Sequence, residues 1–469
     1  MRRWAILSSA ALVLGCANNS LVRFEALAKQ TASQDFLSAA HQVRKERDLY
    51  GHSDLLYAMD LGILYHYAGR YDSSIFFLQK AVKIQEDLFA HSVTNEAASL
   101  LINDNVRPYR GKPYEITWLH LFLAFDYLGQ KQYDDARVEI RQAEIYLKEA
   151  RRKAGSDAKD YRDDGLFRTV ASIVYEGLGE RDDALISLYQ AVQAYREAKQ
   201  PVPRGLARYA AAALAANGRE DDVRSLELTS YVPATPESSF GGGEIVVVGE
   251  MGHSPALGET KFWGTWERDG VLVYSYTDAD GKTVTNALPA PGLPPGESQK
   301  RGRTLSGTTV HVKWAMPAIR EVPSYSDALR VAQDGKAYAG ESFADTHELL
   351  KQDLDANYTS ILLRTVTRVV IRTLAAQEAK SKMNTDNPWV NLLTNIGTDV
   401  LADQLEKADA RVWFLLPRTL QIVRMPVKPG HYSLELAAQG TGGGILRSET
   451  REVDVKAGEK RFVFFTSLK

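Results

Sequence analysis

Two patterns in the chain place reactive or charged side chains where they could do chemistry. The first is Cys16, the sole cysteine among 469 residues. It follows Gly15 at the end of an apolar run, WAILSSAALVL (4–14), itself preceded by Arg2 and Arg3. A thiol there can carry an acyl group. With no second thiol, it cannot form a disulfide within a monomer, so ordinary packing must hold the fold. The second pattern is Arg364, Arg368 and Arg372, spaced every four residues in ILLRTVTRVVIRTLAA. That spacing sets three guanidiniums along one helix face, with Ile361, Leu362, Val366, Val369 and Val370 elsewhere around the helix. Such a stripe can contact acidic protein or anionic headgroups, or it can be the salt-bridged polar face of an amphipathic helix.

The other motifs fall short of the chemistry they suggest. His347-Glu348 begins a zinc-protease pattern, but Lys351 occupies the position of the second histidine. The nine histidines are scattered, and no G-x-S-x-G elbow occurs. GGGEIVVVGE places its glycines before a strand and lacks the Lys-Ser/Thr that holds phosphate. Asp278-Ala-Asp280-Gly281 opens like a calcium loop without the later ligands and reads as a hairpin turn. No catalytic set, metal or cofactor is expected. The formal net charge of −2 provides no overall field for nucleic acid.

Around Cys16, positive charge, a short apolar run and Val13-Leu14-Gly15-Cys16 resemble the lipobox read by lipoprotein signal peptidase. An 11-residue run is too short to span a bilayer, which takes about 20 residues, and fits a secretory signal. The resemblance implies that residues 1–15 are removed after Gly15 and that Cys16 carries diacylglycerol. Several acyl chains on one residue anchor a protein far more firmly than one. Ala17, where Asp would favour inner-membrane retention, directs the expectation to the outer membrane, facing the periplasm. The inner membrane and the cell surface are the alternatives.

The elements that must position the rest fall into two halves, and an α+β fold is expected. Residues 16–230 read as helices with internal repeats. Leu61, Gly62, Tyr65, Gly69, Tyr71, Ser74, Leu78 and Ala81 have a spacing similar to the tetratricopeptide repeat. Gly62 and Ser74 fall where two helices press closest, and Gly69 falls at the turn. The frame recurs at Ala124, Tyr127, Tyr133, Ala136, Ile140 and Ala143, with Gly129 two positions early for the turn. It recurs again at Ser172, Tyr175, Gly179, Ala184, Leu188 and Ala191, and in degenerate form at Ala211, Leu214, Gly218 and Val223. Three or more hairpins can bury a continuous core.

A Pro/Ser/Gly-rich linker (231–243) leads to a β-rich region, 244–469. Strands are expected at EIVVVGE, KFWGTWERDG, VLVYSYTDADG, KTVTNALP and TTVHVKWAMP, then at RVWFLLP, LQIVRMPV, HYSLELAA, GILRSETREVDV and KRFVFFTS. Helices are expected at about 343–380 and 388–407. The second is amphipathic through Trp389, Leu392, Leu393, Ile396, Val400, Leu401 and Leu405.

Five blocks, in order, resemble an uncharacterised family of bacterial lipoproteins with tetratricopeptide-like repeats. They are YRGKPYEITWLHLFLAFDYLGQKQYDDARVEIRQA, YEGLGERDDALISLYQA, GGGEIVVVGEMG, the arginine helix at 358–380, and ADARVWFLLPRTLQIVRMPVKPGHYSLEL. A Pro-x-Lys sequence usual after EIVVVGEMG is Pro255-Ala256-Leu257 here. The resemblance implies a role in the cell envelope, since family members often lie beside small lipoproteins similar to penicillin-binding-protein activators. The expected function is a non-enzymatic protein-protein adaptor whose groove, on the first helix of each hairpin, exposes Trp118, His120, Phe122, Arg168 and Tyr175 to an envelope protein or peptide. A structural subunit of an envelope or export complex and an envelope hydrolase are the alternatives.

Overall fold

The computed structural model describes residues 19–90, 107–154, 163–233, 243–267, 271–278, 280–289, 309–383 and 407–469. Gly15, Cys16, most of the linker and all but the last residue of the 388–407 helix lie outside them. The helical half begins with α1 (Asn19–Ala32) and α2 (Phe36–Lys45). Four hairpins follow: α3 (Asp54–Tyr67) with α4 (Tyr71–Ala90), α5 (Pro113–Gly129) with α6 (Tyr133–Ala154), α7 (Gly165–Gly177) with α8 (Arg181–Glu197), and α9 (Arg204–Ala216) with α10 (Glu220–Ser225).

The hairpins explain the repeated residues. A Cβ on Gly62 would stand 2.3 Å from the Leu78 side chain, and the Ser74 hydroxyl donates to the Gly62 carbonyl at 2.7 Å. Small residues therefore let α3 and α4 touch. The turns need a left-handed residue, and Gly69, Gly179 and Gly218 supply it with φ of 67°, 77° and 70°. In the second hairpin Lys131 takes that place at φ 62°. Gly129 has another duty, because a Cβ there would lie 2.7 Å from the Tyr71 ring. Its early position is a packing requirement between hairpins.

The β half forms three four-stranded sheets. The first has the order β12 (Lys460–Ser467), β1 (Gly243–His253), β9 (Pro417–Val427), β8 (Glu341–Asp345). The second has β11 (Ile445–Val455), β10 (Gly430–Gly440), β6 (Ser326–Gln333), β7 (Lys336–Ala339). The third has β4 (Thr283–Pro289), β3 (Val271–Thr277), β2 (Ala256–Glu267), β5 (Thr309–Arg320). The first and last strands of the region pair in parallel, Glu244 opposite Lys460 through Met251 opposite Ser467.

The first sheet is the middle layer. Val246, Val248, Leu420, Ile422 and Phe462 belong to the core shared with the helices. Ile245, Val247, Met251, Val423, Met425 and Phe465 face the second sheet. Burial on both faces accounts for the uninterrupted apolar run of β1, all 11 residues of which are buried. The third sheet packs against α11 (Thr346–Met383), with Leu362, Val366, Val369 and Val370 over Phe262, Trp266, Val312 and Trp314.

Two expectations change. RVWFLLP is not a strand: residues 411–416 run as an irregular buried segment and β9 starts at Pro417. Their backbone is engaged by helix side chains instead of a neighbouring strand. Strands β6, β7 and β8, unforeseen from local pattern, occupy 326–345, so the long helix starts at Thr346. The hairpin turn expected between β3 and β4 is present, and Asp278 Oδ1 accepts there from the Lys282 and Asp280 amides. Among the described residues, no helix is long and apolar enough to cross a membrane.

Candidate functional site

The face built by the first helix of each hairpin is not an open groove. It is covered by the chain's own first sheet and by residues 411–416. From α3, the Tyr67 hydroxyl donates to the Leu415 carbonyl at 2.9 Å. From α5, Phe122 meets the Trp413 ring with centroids 6.0 Å apart, and Phe125 meets Phe464 at 5.2 Å. From α9, the Gly205 amide donates to Glu341 at 2.6 Å.

The residues expected to line the groove therefore serve other purposes. Trp118 and Phe122 are wholly buried. The Trp118 indole donates to Asp164 at 2.8 Å, and Asp164 also caps α7 by accepting from the Phe167 amide at 3.0 Å. His120 faces its own hairpin, 2.8 Å from Glu139. Arg168 is held between Glu144 and Asp163, and Tyr175 reaches the same Glu144 at 3.4 Å. Apart from the His120 pair, these contacts join one hairpin to the next. All five side chains are buried, at most 7% exposed, and are engaged within the chain rather than presented on an open groove.

Three buried polar clusters fasten the layers. His66 lies between Asp126 and Glu250, 2.6 Å from each, and the Thr466 hydroxyl donates to Glu250 at 2.5 Å. Burial by itself would lower the His66 pKa, but the two carboxylates outweigh it and raise it to about 10. Burial raises Asp126 too, in spite of His66. Second, Arg424 donates to both Glu244 oxygens at 2.7 and 2.6 Å and to Glu176 at 3.2 Å. Lys460 is 2.5 Å from Glu176, and the Arg424 guanidinium stacks 3.8 Å over the Tyr209 ring. Burial pushes Glu244 up, yet Arg424 and Lys460 leave it below the usual range. Third, Glu115 accepts from the Trp413 amide at 2.8 Å, the Lys112 amide at 2.9 Å and the Tyr109 hydroxyl at 2.5 Å. A capping residue of α5 thereby also fixes the segment that failed to become a strand.

Of the arginine stripe, Arg364 and Arg368 line one cleft, while Arg372, half-buried, is not among its lining residues. Arg368 is only 2% exposed, so it is no solvated surface residue. Opposite stand Arg107, Arg110 and Lys112 ahead of α5, with Lys407 and Arg411 ahead of β9. The cleft holds about 310 Å³. Arg411 grips Asp409 through two nitrogens, at 2.8 and 2.7 Å, and donates to the Arg107 carbonyl at 2.7 Å. Arg107, Arg364, Arg368, Lys407 and Arg411 make further contacts within the chain. Elsewhere, His347 sits 2.6 Å from Glu321, and no cluster of metal-binding side chains occurs among the described residues.

Local spacing named Arg364 and Arg368 but not the cations that face them, which come from distant sequence segments on either side. It also missed His66, Glu115, Asp126, Glu176, Glu250 and Arg424. One signal was available. Helices α5 and α7 have almost no polar side, with 13 of 17 and 12 of 13 residues buried. A helix apolar all round is covered all round, and a lone ionisable residue in it must meet a partner from another layer.

No family model and no curated protein matches the chain. Among solved structures, it is similar to a crystal structure of nearly identical TPR-like repeats of a putative kinesin light chain from Podosopora anserina. That likeness has 16% identity and a TM-score of 0.30, covering 46% of this chain and 96% of that one. The turn, small-residue and packing pattern of its own hairpins makes the helical half of this chain a set of tetratricopeptide-like repeats.

Proposed function

We propose that the protein is a lipid-anchored, non-enzymatic scaffold of the bacterial cell envelope, held through Cys16 to the outer membrane with its body in the periplasm. Its partner is an envelope protein that docks outside the repeat groove. One observation carries the reading of the docking face: the first helices are covered by the chain's own sheet, whereas the second helices carry exposed apolar side chains. Phe76 on α4, Val138 and Ile145 on α6 and Ile186 on α8 are 63%, 49%, 55% and 44% exposed. Apolar side chains recurring on successive hairpins suit a protein surface. The anchor rests on the Gly15-Cys16 junction and the apolar run before it. A fixed anchor raises the effective concentration of a partner in the same membrane.

Covered first helices also favour a second reading, a permanent structural subunit of an envelope assembly. Crosslinking from intact cells followed by affinity recovery distinguishes them. For a scaffold, Phe76→Ser with Ile145→Ser removes the recovered partner while melting and lipid labelling are unchanged. For a permanent subunit, the same pair lowers the amount of the whole assembly. Cys16→Ala must release the protein from membranes; retention in high salt sinks the anchor.

A further inference from the structure

We propose that β4 is the edge at which this chain pairs with a second copy of itself, the two β4 strands lying antiparallel across a two-fold axis and joining their third sheets. Among the described residues each sheet has two edges, and five of the six are guarded. On β12 the Tyr133 hydroxyl donates to the Lys460 carbonyl at 2.8 Å, and Arg447 donates to the Thr466 carbonyl. On β8 the Tyr195 hydroxyl donates to the Phe343 carbonyl at 2.5 Å. Strand β7 is only 4 residues long. Strand β11 carries Arg447, Glu449, Arg451, Glu452 and Asp454, and β5 carries His311, Lys313 and Pro317. Coverage, shortness, charge and proline are the usual defences of a sheet edge. Strand β4 has none of them: Thr283-Val284-Thr285-Asn286-Ala287-Leu288 holds no charge, and no proline comes before Pro289. Thr283, Thr285, Asn286 and Ala287 are exposed, and among the described residues the one strand beside β4 is β3.

The register favours a copy of the same strand. The Asp278 amide donates to the Lys282 carbonyl at 2.9 Å at the head of the β3–β4 hairpin. Bonded and non-bonded pairs alternate along an antiparallel ladder. Val284, Asn286 and Leu288 therefore turn their backbone groups to β3, and Thr283, Thr285 and Ala287 turn theirs outward. The missing N–H of Pro289 lies on the outward side too, so it removes no bond to β3. An identical strand centred on Thr285 sets Thr285 opposite Thr285 on the axis, and Thr283 opposite Ala287. Cross-strand threonine pairs are favourable. Lys282 then falls opposite Leu288, so no charge faces its own copy. On the outer face, Trp263 pairs with Ser275 and Ser275 with Thr285, so that row runs unbroken through the axis. A two-fold contact of this kind closes on itself and stops at two copies.

The test is the mass of the pure protein. The full chain carrying Cys16→Ala, without lipid and without any thiol, is sedimented over a range of concentrations. We expect a concentration-dependent rise from 52.1 kDa to twice that mass. Thr285→Lys sets two ammonium groups face to face on the axis and should weaken dimerisation about tenfold or more. Its melting temperature should not change, because residue 285 is exposed. Ser448→Lys, exposed on β11, is the control and should dimerise like the parent. In a second measurement Thr285→Cys supplies the chain's one thiol, and a short bis-maleimide should join it to its copy, whereas Ser448→Cys should stay unjoined. A chain that is monomeric at every concentration overturns the proposal, and so does a dimer that Thr285→Lys leaves intact. Crosslinking of Thr285→Cys in cells to a different protein, with the pure chain monomeric, also overturns it and gives the edge to a partner's strand. Sedimentation needs no partner, so it succeeds or fails independently of partner recovery in the scaffold test.

Discussion

His66 of α3 and Glu250 of β1 stand 2.6 Å apart, with the imidazole 1% exposed and the carboxylate wholly buried. They join the repeat array to the middle sheet across 184 positions of sequence. Asp126 of α5 binds the other ring nitrogen, Nδ1, so one side chain ties two hairpins and a strand. Charges so far from water persist only when each has a partner.

Removing the histidine should therefore cost more than its contacts. His66→Leu leaves Asp126 and Glu250 facing each other without a cation, a loss of about 3–5 kcal/mol. Urea unfolding checks this. A second variant, Glu250→Gln combined with His66→Leu, should recover part of the loss, because the two sites share one interaction. Simple additivity would show that the cluster is not coupled.

The same cluster sets a pH dependence. The folded pKa of His66, about 10, lies above its ordinary 6.5. Its contribution is thus fully present below pH 6.5 and is lost as pH rises toward 10. Buried His253 has the opposite sign: burial lowers it to about 4. Its neutral form supports the fold above pH 6.5, and that support disappears as pH falls toward 4. The melting temperature should decline on both sides of neutrality. His66→Gln should flatten the alkaline limb and His253→Gln the acid limb; an unchanged alkaline limb in His66→Gln would rule out this assignment.

The hairpins offer a paired test of backbone against packing. Gly62→Ala drives a methyl into Leu78 and should cost about 1–3 kcal/mol. Lys131→Gly relieves a left-handed lysine and should gain about 0.5–1 kcal/mol, net of the extra freedom glycine has when unfolded. Thermal melts of both variants give the comparison. Stabilisation by Gly62→Ala would mean that α3 and α4 are less tightly packed than their contacts indicate.

By itself the sequence determined the parts whose causes are local. Helical spacing, small residues at Gly62 and Ser74, and a left-handed turn four residues after Tyr65 and Tyr175 specify the hairpins. Each involves chain neighbours within one turn or one helix pair. The apolar run of β1 marked a strand. Tertiary structure alone decided what covers what. An apolar first-helix face looks the same in sequence whether a foreign peptide or the chain's own sheet lies on it. The pairing of β1 with β12 and the capture of the Trp413 amide by Glu115 depend on segments that meet only after folding. The arginine cleft has the same origin. Periodicity placed Arg364 and Arg368 on one face, and only the packing of α11 beside the 107–112 and 407–411 segments brought the opposing cations to it. Charge convergence is a property of distance in space, and helical spacing reports distance only along one element.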